Sequence, residues 1–252
     1  MARTWRRSAG GFRKYEMVDI LYLAKGRPEF TEASLAALLA NTNWKRARLV
    51  IYTDGAEFRA SSSIEVRRGE YGGPVAIMND YLGRNPSEIF AKIDNDTIVP
   101  PGWLDECLEA MEGNPELGLL GIEPPTSRTP APWANGKRIP APEYGANPAY
   151  RGYAPCDMIG GVGLMRKRPF LTLDAMKPHG QNGVGGFSDW QTRNPGVVKG
   201  WIVPPLNLFL LDRLPVEPWA SLSKEYIASG LQRPWTNYAP SDSALWDWWI
   251  KP

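Results

Sequence analysis

The sequence predicts an α/β fold built on a mostly parallel sheet with both faces covered. Two observations predict it. Short apolar, β-branched runs alternate with amphipathic stretches of helical period through the first half of the chain. Acidic residues then fall where the strands end, which is where such sheets carry their ligands. Val18–Leu23 reads as a buried strand, closed by Lys25-Gly26-Arg27-Pro28. A helix is expected over Thr31–Ala40, with Leu35, Leu38 and Leu39 on one face and Thr31 as its N-cap. Arg48–Thr53 is a second strand, ended by Asp54-Gly55, and Ser63–Val66 a third. Pro74–Leu82 is helical, with Val75, Met78 and Leu82 aligned. Ile89–Ile93 is the next strand. Trp103–Glu112 turns Trp103, Leu104, Cys107, Leu108 and Met111 inward and Asp105, Glu106, Glu109 and Glu112 outward. Leu117–Gly121 is a strand.

The character changes after Glu123. Residues 124–155 are proline-rich and aperiodic, the mark of a long functional or mobile loop. Order resumes in the glycine-rich apolar segment Cys156–Met165. A short helix is expected over Phe170–Met176. A glycine loop, Gly180–Gly186, leads into Phe187-Ser188-Asp189-Trp190. Val197–Val203 reads as a strand and Leu206–Leu211 as a further apolar run. The tail from Ser241 carries Trp246, Trp249 and Ile250 at helical spacing.

Composition narrows the function classes. The 252 residues are 43% hydrophobic, enough for a real core. A net charge of +2 creates no global field for nucleic acid or anionic membrane. Cys107 and Cys156 form neither a disulfide framework nor a zinc spacing and are read as packing residues. No apolar run approaches the ~20 residues that span a bilayer, and the N-terminus lacks a signal-peptide core. A cytoplasmic protein without stable membrane insertion is expected. Residues 1–16 form a basic arm, Arg3, Arg6, Arg7, Arg13 and Lys14 around Trp5 and Phe12. It is either a solvated tail or a phosphate-contacting segment. No P-loop, complete dinucleotide fingerprint or nucleophile elbow is present, and a single histidine, His179, argues against a Ser-His-Asp system.

Chemistry concentrates at Asp94-Asn95-Asp96. An apolar strand stops there in two aspartates, and a Pro-Pro-Gly turn and a helix follow. Unpaired charge is costly in a buried strand. Two carboxylates at its end call for something positive, most economically Mn²⁺ or Mg²⁺ that also grips a diphosphate. Residues i and i+2 of an extended chain project to one side, so both could face one ligand. Asp54 is either a contact for a nucleobase or ribose or the start of an Asp-Gly turn. Asp189 is either a general base for an attacking hydroxyl or a helix cap or ion-pair partner. The chain holds 11 tryptophans. Trp103 reads as core, whereas Trp133, Trp190, Trp201 and Trp235 could stack on a sugar or a base.

Taken together, these segments resemble a family 2 glycosyltransferase of the GT-A fold, over roughly residues 17–212. Asp94-Asn95-Asp96 with Pro100-Pro101-Gly102-Trp103-Leu104 is the most specific part of the likeness. The resemblance implies a single GT-A domain, Rossmann-like and built for nucleotide-diphospho-sugars, over residues 17–215. Its halves are a nucleotide-sugar half at 17–123 and an acceptor half at 124–215, and a C-terminal extension at 216–252 packs on it. It implies donor contacts from Ala24, Lys25 and Arg27 in the first loop, from Asp54, from Asn79, and from Asp94, Asn95 and Asp96. Asp94 and Asp96 would bind the metal, with His179 or Asp212 as a further ligand. Gly160, Gly161 and Trp190 would face the acceptor, and Asp189 would be the base. Two departures stand out: Ser188 precedes Asp189 where the family has an acid, and the element of processive members is missing. The implied activity is therefore non-processive, inverting transfer from a UDP-sugar to a glycan or to a hydroxymethylated base in DNA. A nucleotidyltransferase or a non-catalytic glycan-binding module are the alternatives.

Overall fold

A computed structural model of the chain describes residues 17–55, 64–84, 86–122, 152–177, 185–203, 208–214 and 217–231, with short pieces at 133–134, 137–138 and 206. The strands are β1 (Val18–Ala24), β2 (Ala47–Asp54), β3 (Glu65–Gly69), β4 (Ile89–Asp94), β5 (Thr97–Ile98), β6 (Leu117–Gly121), β7 (Trp133–Ala134), β8 (Lys137–Arg138), β9 (Tyr153–Pro155), β10 (Gly163–Arg166), β11 (Val198–Ile202) and β12 (Phe209–Leu210). The helices are α1 (Pro28–Asn41), α2 (Pro74–Leu82), α3 (Trp103–Gly113), α4 (Lys167–Thr172), α5 (Gly185–Arg193) and α6 (Trp219–Ala228).

Eight strands form the main sheet in the order β3-β2-β1-β4-β10-β6-β11-β9. β1 pairs in parallel with β2 and with β4, and β2 in parallel with β3. β10 runs antiparallel between β4 and β6. Strand alternation sorts the core into two layers. Ile20, Tyr22, Leu49, Ile51, Ala91 and Ile93 meet α1 and α3 on one face. Leu21, Leu23, Val50, Tyr52 and Phe90 meet α2, α4 and α5 on the other. A third cluster joins Phe30 and Ala37 of α1 to Ile98, Phe209, Leu211, Leu214 and Tyr226.

Several expectations are corrected. α1 starts at Pro28, whose fixed φ and missing N–H suit a first helical position. Thr31 is thus inside the helix rather than capping it, and its hydroxyl donates back to the Arg27 carbonyl at 2.8 Å. Leu39 lies exposed, and α1 instead buries Phe30, Ser34, Ala37 and Leu38. The helix expected over Phe170–Met176 runs from Lys167 to Thr172. Residues Phe187 to Trp190 sit within α5, which begins at Gly185, inside the stretch read as a glycine loop, whose residues 180–184 lie outside the described ones. Cys107 and Cys156 are buried and unbonded, as read, and burial raises both thiols, Cys156 to about 12. Among the described residues no helix is long and apolar enough to cross a membrane.

Candidate active site

Strand order reverses beside β1: β2 and β3 build outward on one side, β4 on the other. The carboxyl ends of β1 and β4 therefore flank a crevice, the usual ligand position in open α/β sheets. Leu23 pairs with Asp94, so the β1 loop at Lys25–Arg27 and the Asp94-Asn95-Asp96 corner meet there.

The corner is tightly wired. Asn95 donates to the Thr31 hydroxyl at 2.8 Å and to the Lys25 carbonyl at 3.3 Å, and accepts from Arg27 at 2.6 Å. Ser34 donates to the Thr97 carbonyl at 2.7 Å. These bonds turn the chain sharply after β4, so that Asp94 and Asp96 find different partners. Asp96 Oδ2 lies 2.9 Å from Arg27 Nη2. Asp94 Oδ1 lies 2.5 Å from Lys92 Nζ. The positive charge that the sequence called for is thus supplied, in this structure, by two side chains of the protein itself. Burial works against the Arg27 charge, but Asp96, Asp212 and Asp94 more than offset it and hold the guanidinium above its ordinary pKa. Burial likewise raises the Tyr22 phenol, with Asp96 and Asp94 adding to the effect.

Asp212 joins this cluster through β12. Phe209 pairs with Ile98 and Leu210 with Thr97, and the Leu211 N–H donates to the Asp96 carbonyl at 2.7 Å. That route brings a residue more than a hundred positions away into the field of Arg27. His179, the other suggested ligand, lies outside the described residues. Among the described residues no group of three or more His, Cys, Asp or Glu side chains forms a metal cage. The oxygens present still suit a hard divalent cation, because such ions are commonly held by one or two carboxylates plus substrate phosphates. Gly161 comes close to the corner: a Cβ there would lie 3.4 Å from both Asp94 Oδ2 and Lys92 Nζ. The Asp94 side chain keeps 34% of its surface exposed.

Asp54 ends β2 as expected, but as an organiser of the turn. Its Oδ1 accepts from the Tyr71 and Gly72 N–H groups at 2.7 and 3.0 Å, and Lys25 Nζ stands 3.0 Å from Oδ2. Burial would raise this carboxyl, yet Lys25 and the two N–H groups hold it below its ordinary value. Ala24 is buried at the end of β1. Asn79 spends its amide on the Met176 carbonyl at 2.8 Å, which ties α2 to the segment before α5.

Where acceptor contacts are expected, Gln191 of α5 clamps Ile159. It accepts from the Ile159 N–H at 2.9 Å and donates to its carbonyl at 3.1 Å, fixing the segment that holds Gly160 and Gly161. Trp190 does not face an acceptor. It is fully buried, stacks on Phe170 at 4.5 Å and donates to the Asp174 carbonyl. Trp201 is likewise core; Trp133 has only its backbone described, and Trp235 lies outside the described residues. Asp189 is half-exposed on α5, and its Oδ2 accepts from Arg193 at 2.9 Å. Among the described residues no hydrogen bond or ion pair links Asp189 to the Asp94–Asp96 corner.

No family model matches this sequence, nor does any curated protein. Solved structures do. S. aureus TarS matches with a TM-score of 0.52 at 11% identity, over 75% of this chain and 36% of that one. TarS 1–349 in complex with UDP-GlcNAc matches with a TM-score of 0.52 at 10% identity, over 75% and 57%. The complex with UDP matches with a TM-score of 0.52 at 10% identity, over 75% and 59%. The fold is GT-A. The chain spans 36% to 59% of the length of these neighbours.

Sequence reasoning missed Lys92 and Ser34. Lys92 left a legible trace, a lone lysine inside an apolar strand two residues before an aspartate. Ser34 left none, because its role depends on the loop folding back over α1.

Proposed function

We propose that the protein is a metal-dependent, inverting, non-processive glycosyltransferase akin to family 2, using a nucleotide-diphosphate sugar and most simply a UDP-sugar. The observation that carries this reading is the Asp94-Asn95-Asp96 corner, with the Asp94 side chain part-exposed, at the switch point of a GT-A sheet. The structural neighbours bound to UDP and UDP-GlcNAc support the choice of nucleotide.

Asp94 and Asp96, with Asp212 beside them, would hold Mn²⁺ or Mg²⁺, which would neutralise the diphosphate as it leaves. Lys25 and Arg27 face the same crevice from the β1 loop and would bind phosphate oxygens. Asp54, held by Tyr71 and Gly72, would set the loop on which the base rests. Asp189 would accept the proton of the acceptor hydroxyl as its oxygen attacks the anomeric carbon. The bond from that carbon to the diphosphate breaks on the opposite face, which inverts the centre. For this, Asp189 must exchange Arg193 for the hydroxyl. A soluble glycan and a hydroxymethylated base in DNA are the two acceptor classes to compare.

Thermal shifts with UDP, GDP and dTDP, each with and without MnCl₂, test the donor site, since at equal concentration the tighter ligand stabilises more. The expected result is a shift largest for UDP with Mn²⁺. No shift with any nucleotide overturns the proposal. UDP release from UDP-GlcNAc in the presence of hydroxymethylpyrimidine DNA or of oligosaccharides then separates the acceptors. A module that only binds glycans would release no UDP.

A further inference from the structure

Lys92 stands where the fold asks for an apolar residue. It shares a face of β4 with Phe90 and Asp94, and that face packs into the layer with α2, α4 and α5. Only 4% of its side chain is exposed. Burying an ammonium costs several kcal/mol unless acceptors meet it. Two do: Asp94 Oδ1 at 2.5 Å and the Gly161 carbonyl at 2.8 Å. Those acceptors lie on different strands' ends. Asp94 closes β4, and Gly161 stands two residues before Gly163, the β10 partner of Lys92 itself. One ammonium therefore joins the carboxylate of the corner to the glycine segment that α5 clamps from its other side.

We propose that Lys92 is a positioning residue that fixes the Asp94 carboxylate toward the donor diphosphate and locks the Gly160-Gly161 segment to it. The two halves of the site are then held as one unit. The role rests on the reading of this crevice as a donor site. A lysine needed only for the core would, when replaced, lower stability and leave UDP affinity unchanged. A positioning lysine acts through Asp94, and its effect vanishes once Asp94 has lost its charge.

The test is UDP affinity in MnCl₂, measured by calorimetry on the full chain and its variants. Asp94→Asn should weaken binding about 10- to 100-fold, the range for groups in and around a metal site. Lys92→Met should weaken it by a similar factor. The Lys92→Met/Asp94→Asn double variant should bind no more weakly than the weaker single one. Lys92→Met with unchanged affinity, or a double variant whose loss is the product of the two single losses, overturns the positioning role. Should Lys92→Met not fold, Lys92→Gln, which keeps an N–H for the Gly161 carbonyl, takes its place in the same cycle. Failure of both to fold assigns Lys92 to the core and overturns the proposal. A wild-type chain that binds no UDP at all overturns the donor-site reading instead.

Discussion

Asp19 and Asp94 lie on neighbouring strands at opposite ends of one sheet, and each pairs with a basic side chain, Arg48 largely exposed and Lys92 buried. Asp19, near the start of β1, is 1% exposed. Arg48 reaches it with two bonds, at 2.8 and 3.0 Å, and the Tyr81 hydroxyl donates at 2.7 Å. Both of its oxygens are engaged. Asp94 has one oxygen on Lys92 and the other facing the space beside a glycine. A carboxylate in a core is thus no sign of a site by itself. What separates the two is an oxygen with no hydrogen-bond partner among the described residues, at the end of the sheet where loops gather.

That contrast can be broken by measurement. Asp96→Asn should lower UDP release from UDP-GlcNAc about 10³-fold, the several kcal/mol that a charge clamp on a leaving group supplies. Asp19→Asn should leave that rate within about twofold, since among the described residues no side-chain bond connects it to the crevice. Equal losses in both would erase the distinction. Asp189→Asn should lower the rate by about 10²- to 10⁴-fold, the usual worth of a general base, while UDP affinity stays unchanged. Loss of UDP binding in that variant would move Asp189 from acceptor to donor chemistry. Chemical denaturation does not separate the two: Asp19→Asn should cost about 2–3 kcal/mol, because charged hydrogen bonds to Arg48 and Tyr81 are lost, and Asp96→Asn at least as much, because it leaves the buried Arg27 guanidinium short of its ion-pair partner.

Acid sharpens the comparison further. Burial would raise the Asp19 carboxyl, but Arg48 and Tyr81 outweigh it and hold it below the ordinary 3.8. Asp54 is held down in the same direction by Lys25 and two N–H groups. Groups depressed on folding contribute stability that is complete above about pH 4 and is lost as pH falls through their folded values. Unfolding free energy followed downward from pH 5 should therefore fall, and the Asp19→Asn chain should fall less steeply than wild type. The smallest expected effect belongs to Gly161→Ala. Its methyl meets Asp94 Oδ2 and Lys92 Nζ at contact distance, so the chain should fold with unchanged melting temperature and bind UDP with Mn²⁺ a few-fold more weakly, about 1 kcal/mol.

Much of the fold was readable from periodicity. β1, β2, β4 and β6 are continuous apolar runs, and α2 and α3 carry their burial pattern openly. The strand order was not readable, because nothing local tells β4 to pair with β1 or β10 to insert antiparallel between β4 and β6. Asp19 and Lys92 went unread for a related reason. Each sits in a run whose neighbours are apolar, and its partner comes from a distant element: Tyr81 of α2 in one case, Gly161 in the other. Asp94 and Asp96 were legible because they end a strand, where position alone carries meaning. Trp190 was misread because an aromatic ring suits a sugar and a core equally well. Only Phe170, packed against it, decides.

The helix α6 has a consequence for anyone trimming this chain. Tyr226 packs edge-on to Phe30 at 5.1 Å and bonds to Glu29, and Arg27 lies 5.4 Å over the same Phe30 ring. Phe30 is thus gripped from behind by α6 while it carries Arg27 in front. A chain cut near residue 215 would leave that ring bare and let the guanidinium swing. The shortest dependable expression boundary therefore falls after Leu231, whose methyl carbon comes within 3.2 Å of where a Cβ on Gly26 would stand.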